Sequence, residues 1–281
     1  MAFNIRVIDY PTGKQVRVYD RAMDASAWEK GNRISEDGEM EFCPFTGKME
    51  KVQDELSRRH SMHVSMSRTV NRLYYLARSN KWDYFVTLTF SPDKVDRFDY
   101  DACVKKLSDW LSRCRRKAPD MKYLVVPEMH KNGAWHFHGL FSCCDGLLFS
   151  DSGKRDKKGD RIYNIGCYRF GFTTATKVKN TEKVSKYISK YITKELCNVA
   201  FGRKRFWASR NLQEAPVTDY CLEPGEKRRF LSMIADFIKY VKTVHSVFCR
   251  TDYFELFCDF PQKVCPGMVL PESMTKAYGF T

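Results

Sequence analysis

The chain has 281 residues, 43% of them hydrophobic, which supports a globular protein with one large or two small cored domains. No run of about 18 apolar residues could span a bilayer, and the start MAFNIRVIDYPTGK lacks the apolar core and cleavage site of a signal peptide, so a soluble, intracellular protein without a membrane partner is expected. A net charge of +14 points to a polyanionic partner, while 11 cysteines without a CxxC pair argue for buried thiols rather than a zinc cage or disulfide framework.

In chain order, NIRVIDY, the turn PTGK and QVRVYD read as a hairpin, followed by the polar loop EKGNRISEDGEM. A helix is expected from about Leu56 to Ser79. YFVTLTF, Tyr84 to Phe90, reads as a central strand ended by Ser91 and Pro92. Val104, Leu107, Trp110, Leu111 and Cys114 recur at helical spacing, predicting an amphipathic helix from about Tyr100 to Arg116. YLVVPEMH, the break KNG and WHFHGLF follow, then a charged loop, DSGKRDKKGDR, a strand near CYRFGFTTAT and a helix from about Thr181 to Leu196. Beyond about Ala200 an appended region is expected, with a helix near Lys227 to Val247 and a short strand, DYFELF. These elements suggest three parts: an N-terminal hairpin, loop and helix over 1–80, a core over 81–200 and an appended region over 201–281.

WHFHGLF places two histidines on alternate positions of a strand, so His136 and His138 share one face while Trp135, Phe137 and Gly139 share the other. If KNG forms a three-residue bulged turn with Gly133 in the left-handed conformation, Glu128 pairs with His136 and Val126 with His138. A carboxylate and two imidazoles then meet on one face, a metal site in outline. A two-residue turn would send Glu128 to the other side and leave His130 as the third candidate ligand. Such a set can hold zinc, iron or manganese, or magnesium completed by phosphate oxygens.

In KYISKYITKEL, Val184, Ile188 and Ile192 form an apolar stripe at four-residue spacing. Tyr187 and Tyr191 fall beside it on one flank, with Lys190 and Lys194 farther round on the same side. Charge is concentrated nearby: Asp151 to Arg210 contains 16 Lys and Arg against 5 Asp and Glu, interleaved with aromatics, as suits single strands with splayed bases. Lys154, Arg155, Lys157 and Lys158, together with Arg203, Lys204 and Arg205, are the candidate nucleic-acid contacts.

FVTLTF, PEMHKNGAWHFHGLF and YISKYITK, in that order, resemble the three motifs of the HUH endonucleases, specifically the rolling-circle replication initiators of phages and plasmids. GRKRFWASRNL also resembles segments that follow the tyrosine helix in such proteins. The resemblance covers about Trp82 to Leu196. It implies an α+β fold, a central antiparallel sheet of ferredoxin-like or RRM-like type with helices on one face, here with N- and C-terminal additions. It implies Glu128, His136 and His138 as ligands of Mg²⁺ or Mn²⁺, Tyr187 and Tyr191 as nucleophiles, and Lys190 and Lys194 as the motif's lysines. The implied activity is site-specific nicking and rejoining of single-stranded DNA at a replication origin through a 5′-phosphotyrosine, in the cytoplasm of a bacterial host. Because the chain has no GxxxxGK[ST] loop, a separate helicase and host replication proteins are implied partners. The competing readings are an HUH transposase or relaxase, a noncatalytic single-strand-binding module, and a metal-dependent hydrolase that uses water.

Overall fold

The computed structural model describes residues 2–24, 40–43, 48–51, 55–195, 204–245 and 249–257; for 40–43, 48–51, 55–64 and 191–195 the description is of the backbone. No helix among these is long and apolar enough to cross a membrane. The chain divides into two units, one formed by residues 1–37 with 216–281 and the other by 38–215.

The first unit is an antiparallel five-stranded sheet. The hairpin β1 (Ala2–Tyr10) and β2 (Gly13–Asp24) forms as its alternating pattern predicts, and is flanked by β12 (Val217–Tyr220), β13 (Ile238–His245) and β14 (Arg250–Leu256) in the order β12-β1-β2-β14-β13. Cross-strand pairs Ile5 with Val18 and Val7 with Val16 place four apolar side chains on one face. There they pack with Phe230 and Ile234 of the helix α4 (Pro224–Ile234). That helix opens with a reciprocal capping box between Glu223 and Glu226 and Pro224 in its first turn.

Two expectations change here. The division falls at 37 and 216 rather than at 80 and 200, because the N-terminal hairpin pairs with strands from the other end of the chain. The helix expected over Lys227 to Val247 stops at Ile234, and IKYVKTVH is the strand β13. Its Ile238, Val241 and Val244 imitate helical spacing, but its β-branched content suits the ladder it makes with β14.

The second unit is built on an antiparallel seven-stranded sheet. Its strands are β5 (Tyr84–Phe90), β6 (Lys122–Met129), β7 (Trp135–Ser142), β8 (Phe149–Arg155), β9 (Arg161–Ile165), β10 (Gly171–Lys177) and the short β11 (Trp207–Ala208), in the order β11-β6-β7-β5-β10-β9-β8. A separate two-stranded ribbon joins β3 (Met40–Cys43) and β4 (Lys48–Lys51). Helix α2 (Tyr100–Lys117) is started by Asp99, whose carboxylate accepts the Asp101 and Ala102 amides, and it buries Cys103, Leu107, Trp110, Leu111 and Cys114. These pack against Val86, Leu88, Phe90, Val125, Phe137 and Phe141 on one sheet face. The opposite face offers Leu124, Val126 and Leu140, which pack with Leu73, Leu76 and Ala77 of α1 (Glu55–Arg78) and with Ile188 and Val184 of α3 (Thr181–Glu195). The sheet therefore carries helices on both faces rather than on one, because its inner strands are apolar at both parities.

DSGKRDKKGDR is likewise not a loop. It is most of the β8–β9 hairpin at the sheet edge, closed by a turn in which the Asp156 carboxylate accepts the Lys158 and Asp160 amides, each at 2.8 Å, with Gly159 at φ +84°.

Candidate functional site

The turn between β6 and β7 sets the site. The His130 amide donates to Ala134 O at 2.9 Å, the Gly133 amide donates to His130 O at 2.8 Å, and Gly133 adopts φ +86°, the left-handed conformation a three-residue turn requires. The resulting register pairs Glu128 with His136 and Val126 with His138, as KNG predicts. On the other side of β7, β5 pairs Thr89 with His136 and Thr87 with His138.

Residues paired across antiparallel strands point to the same face, so the sheet presents successive rows. Leu124, Leu140 and Phe85 form an apolar row; Val126, His138 and Thr87 form a mixed one; Glu128, His136 and Thr89 form a polar one. Ile188 of α3, fully buried, belongs to the cluster over the apolar end of these rows.

Glu128 is turned onto His138, with Oε2 2.6 Å from Nε2, and both side chains are largely buried. That short hydrogen bond holds the carboxylate oxygen and the ring nitrogen side by side on the same sheet face. Each imidazole is also held at its other nitrogen: Thr87 Oγ1 lies 3.0 Å from His138 Nδ1, and Thr89 Oγ1 lies 3.1 Å from His136 Nδ1. Sequence reasoning placed these threonines in a central strand and in the first motif, without giving them a partner. The signal was their alternation in FVTLTF, which matches that of the histidines in WHFHGLF once the strands are paired.

Burial pushes the His136 imidazole down to about 4, with the charges of His130, His138 and Arg97 acting in the same direction and Glu128 opposing them. At neutral pH the ring is uncharged and keeps a lone pair for a ligand. His130 stacks face to face on His136, with ring centres 3.8 Å apart. Among the described residues no three His, Cys, Asp or Glu side chains already stand as a metal-holding group. The donor types nevertheless fit a divalent cation: two imidazoles and a carboxylate, with the rings oriented from behind by hydroxyls.

Tyr187 reaches the same neighbourhood. Its ring, half exposed, packs edge-on to Phe85 at 5.3 Å, and Phe85 stacks on His138 at 5.7 Å. Lys190 is exposed on the same helix. Tyr191 and Lys194 belong to α3, but their side chains lie outside the described residues, as does the whole of Arg203. Another cation sequence reasoning missed is Arg97. Its carbonyl accepts the Trp135 amide at 2.7 Å, fixing it at the start of the histidine strand, and its buried Nε has no hydrogen-bond partner among the described residues.

The expected DNA contacts separate into two groups. Lys154, Arg155, Lys157 and Lys158 are exposed on the β8–β9 hairpin, where Arg155 donates to Gly159 O at 2.9 Å. Lys204 is exposed, whereas Arg205 donates to Ser65 Oγ of α1 at 3.0 Å and is thereby partly engaged in the fold.

Residues 83–196 match the family model for Replication-associated protein ORF2/gene 2 protein, and this similarity supports a replication initiator. The matched segment, less than half of the chain, begins just before β5 and ends just after α3, so it contains both the paired threonines and histidines and the tyrosine helix. Comparison with curated proteins and with solved structures finds no match.

Proposed function

We propose that the chain initiates rolling-circle DNA replication by nicking and rejoining single-stranded DNA through a covalent 5′-phosphotyrosine. The observation that carries this reading is the single sheet face on which Glu128, His136 and His138 lie together, with Tyr187 joined to His138 through the Phe85 ring, inside the segment similar to replication-associated proteins.

Glu128, His136 and His138 would hold Mg²⁺ or Mn²⁺, which when bound supplies Lewis-acid polarisation of a phosphate oxygen. The chain's own groups carry the remaining demands. Thr87 and Thr89 fix the imidazoles through Nδ1 and leave Nε2 as the ligating nitrogen. A tyrosine Oη, losing its proton, attacks phosphorus; the bond from phosphorus to the 3′ oxygen breaks, and that oxygen leaves as a free 3′-hydroxyl once protonated. In the reverse direction a 3′-hydroxyl displaces the phenol and closes the strand without ATP. Lys190 and Lys194 offset phosphate charge, and Arg97 adds a cation whose Nε has a hydrogen bond to give. Two tyrosines one helical turn apart serve the two cleavages of one round, the first opening the origin and the second releasing the displaced circle. Unwinding falls to a separate helicase, and elongation to host replication proteins.

The test is to incubate the protein with labelled single-stranded DNA from its own replicon, with and without Mg²⁺ or Mn²⁺, and to look for adducts that survive denaturation. Metal-dependent adducts and a mapped 3′-hydroxyl end are expected. Cleavage without an adduct would instead assign the site to hydrolysis by water.

A further inference from the structure

The rows that define the site continue past β5 onto β10. Thr89 pairs with Phe172 and Thr87 with Thr174, so these residues extend the rows of His136 and His138 on the same face. On the opposite parity of β10, Thr173 and Ala175 are buried. Phe172 is 71% exposed, and Thr174 is exposed beside it. Among the described residues this half of the sheet face is open: Asn164 of β9 and its partner Ser150 of β8 are exposed as well. An aromatic ring thus stands uncovered among small polar side chains, two strands from His136, about 10 Å at the usual strand spacing.

Its position is tightly built. Gly171, just before it, lies so close to β5 that an added Cβ would sit 2.1 Å from Thr89 O, which holds β10 hard against Thr89. Beyond the open strip, the sheet edge is the β8–β9 hairpin with Lys154, Arg155, Lys157, Lys158 and Arg161 against Asp151, Asp156 and Asp160. The order across the sheet is therefore carboxylate and imidazoles, a small polar strip with one exposed ring, and a basic edge.

We infer that Phe172 is a base-stacking platform for single-stranded DNA, seating a base close to the bond held at Glu128 and His136 while the strand runs over β10 and β9 toward the basic hairpin. Charge complementarity at the edge favours a nucleic acid, and an open sheet with a lone ring suits an unpaired base, whose π-face any sequence can offer. This rests on the proposed nicking function for its biological purpose, but binding can be measured apart from cleavage.

The experiment is fluorescence anisotropy of fluorescein-labelled dT20 with the full chain in EDTA, so that no cleavage contributes. Stacking of one base is worth about 1–2 kcal/mol, so Phe172→Ala should weaken binding about 5- to 30-fold. Phe172→Trp should bind as well as the parent, and Phe172→Leu, apolar but without a π-face, should behave like the alanine variant. Because the ring is exposed, all three should keep the parent's melting temperature, and the slope of affinity against salt should be unchanged since no charge is removed. Unaltered dT20 affinity in folded Phe172→Ala, or full binding by Phe172→Leu, would overturn the inference. If Phe172→Ala fails to fold, the comparison of leucine with tryptophan decides. Loss of binding in a protein that never forms adducts would retain the platform and reject the nicking function; adducts with normal binding by Phe172→Ala would do the reverse.

Discussion

Strand β7 has two faces made from one sequence by alternation, and they serve opposite ends. Phe137 and Phe141 are fully buried against the α2 side, where Phe137 meets Phe90 and Trp207 edge-on at 5.8 and 5.5 Å. His136 and His138, one residue away on either side of Phe137, sit among Thr87, Thr89 and Glu128 on the other face. The first face consists of apolar area removed from water; the second holds polar groups that are costly to bury unless each has a partner. Neighbouring residues should therefore fail in different ways when changed, His136 and His138 by losing chemistry and Phe137 and Phe141 by losing the fold.

The largest effect expected is at the histidines. His136→Ala and His138→Ala should abolish metal-dependent adduct formation, while leaving much of the DNA binding to the basic segment. An electrophoretic adduct assay beside a binding titration separates the two, and normal nicking by the double variant would refute the metal assignment. One position along, Phe137→Ala should cost about 3–5 kcal/mol of stability through the cavity it leaves, read from urea unfolding midpoints. A cost as small as that of His136→Ala would break the contrast between the faces.

The threonines sharpen the comparison, since they belong to the polar face without being ligands. Thr87→Val and Thr89→Val keep the branched shape suited to a strand and remove only the hydroxyl at Nδ1. Each should raise the Mn²⁺ concentration needed for half-maximal adduct formation by about 10- to 100-fold. An unchanged requirement would make them mere strand formers. The smallest effect expected is at the sheet edge: neutralising Lys154, Arg155, Lys157 and Lys158 together should flatten the dependence of single-strand affinity on salt, in proportion to how many phosphates these side chains neutralise. An unaltered slope would move the DNA path elsewhere, toward Lys204.

The parts legible in the sequence were those fixed by local geometry. KNG narrowed the hairpin to two registers, and the one that forms, with Gly133 left-handed in a three-residue turn, pairs Glu128 with His136. YFVTLTF and the helix after Asp99 were equally plain from alternation and from 3.6-residue spacing. What stayed hidden depended on pairing between distant segments. The role of Thr87 and Thr89 exists only once β5 lies beside β7, and the exposure of Phe172 only once β10 lies beside β5. The joining of β1 and β2 with β12 and β14 links opposite ends of the chain, and IKYVKTVH carries spacing that suits a helix until β14 supplies a ladder.

The most direct test of the proposed chemistry is to measure adduct formation on a short origin oligonucleotide with Tyr187→Phe, Tyr191→Phe and the double variant. Removing only a hydroxyl leaves the ring of Tyr187 against Phe85, so a loss reports chemistry rather than unfolding. Each single variant should retain some adduct and the double variant none, with the modified residue mapped to the remaining tyrosine. Adducts that persist in the double variant would contradict the tyrosine assignment, and with it the reading of this sheet face as a nicking site.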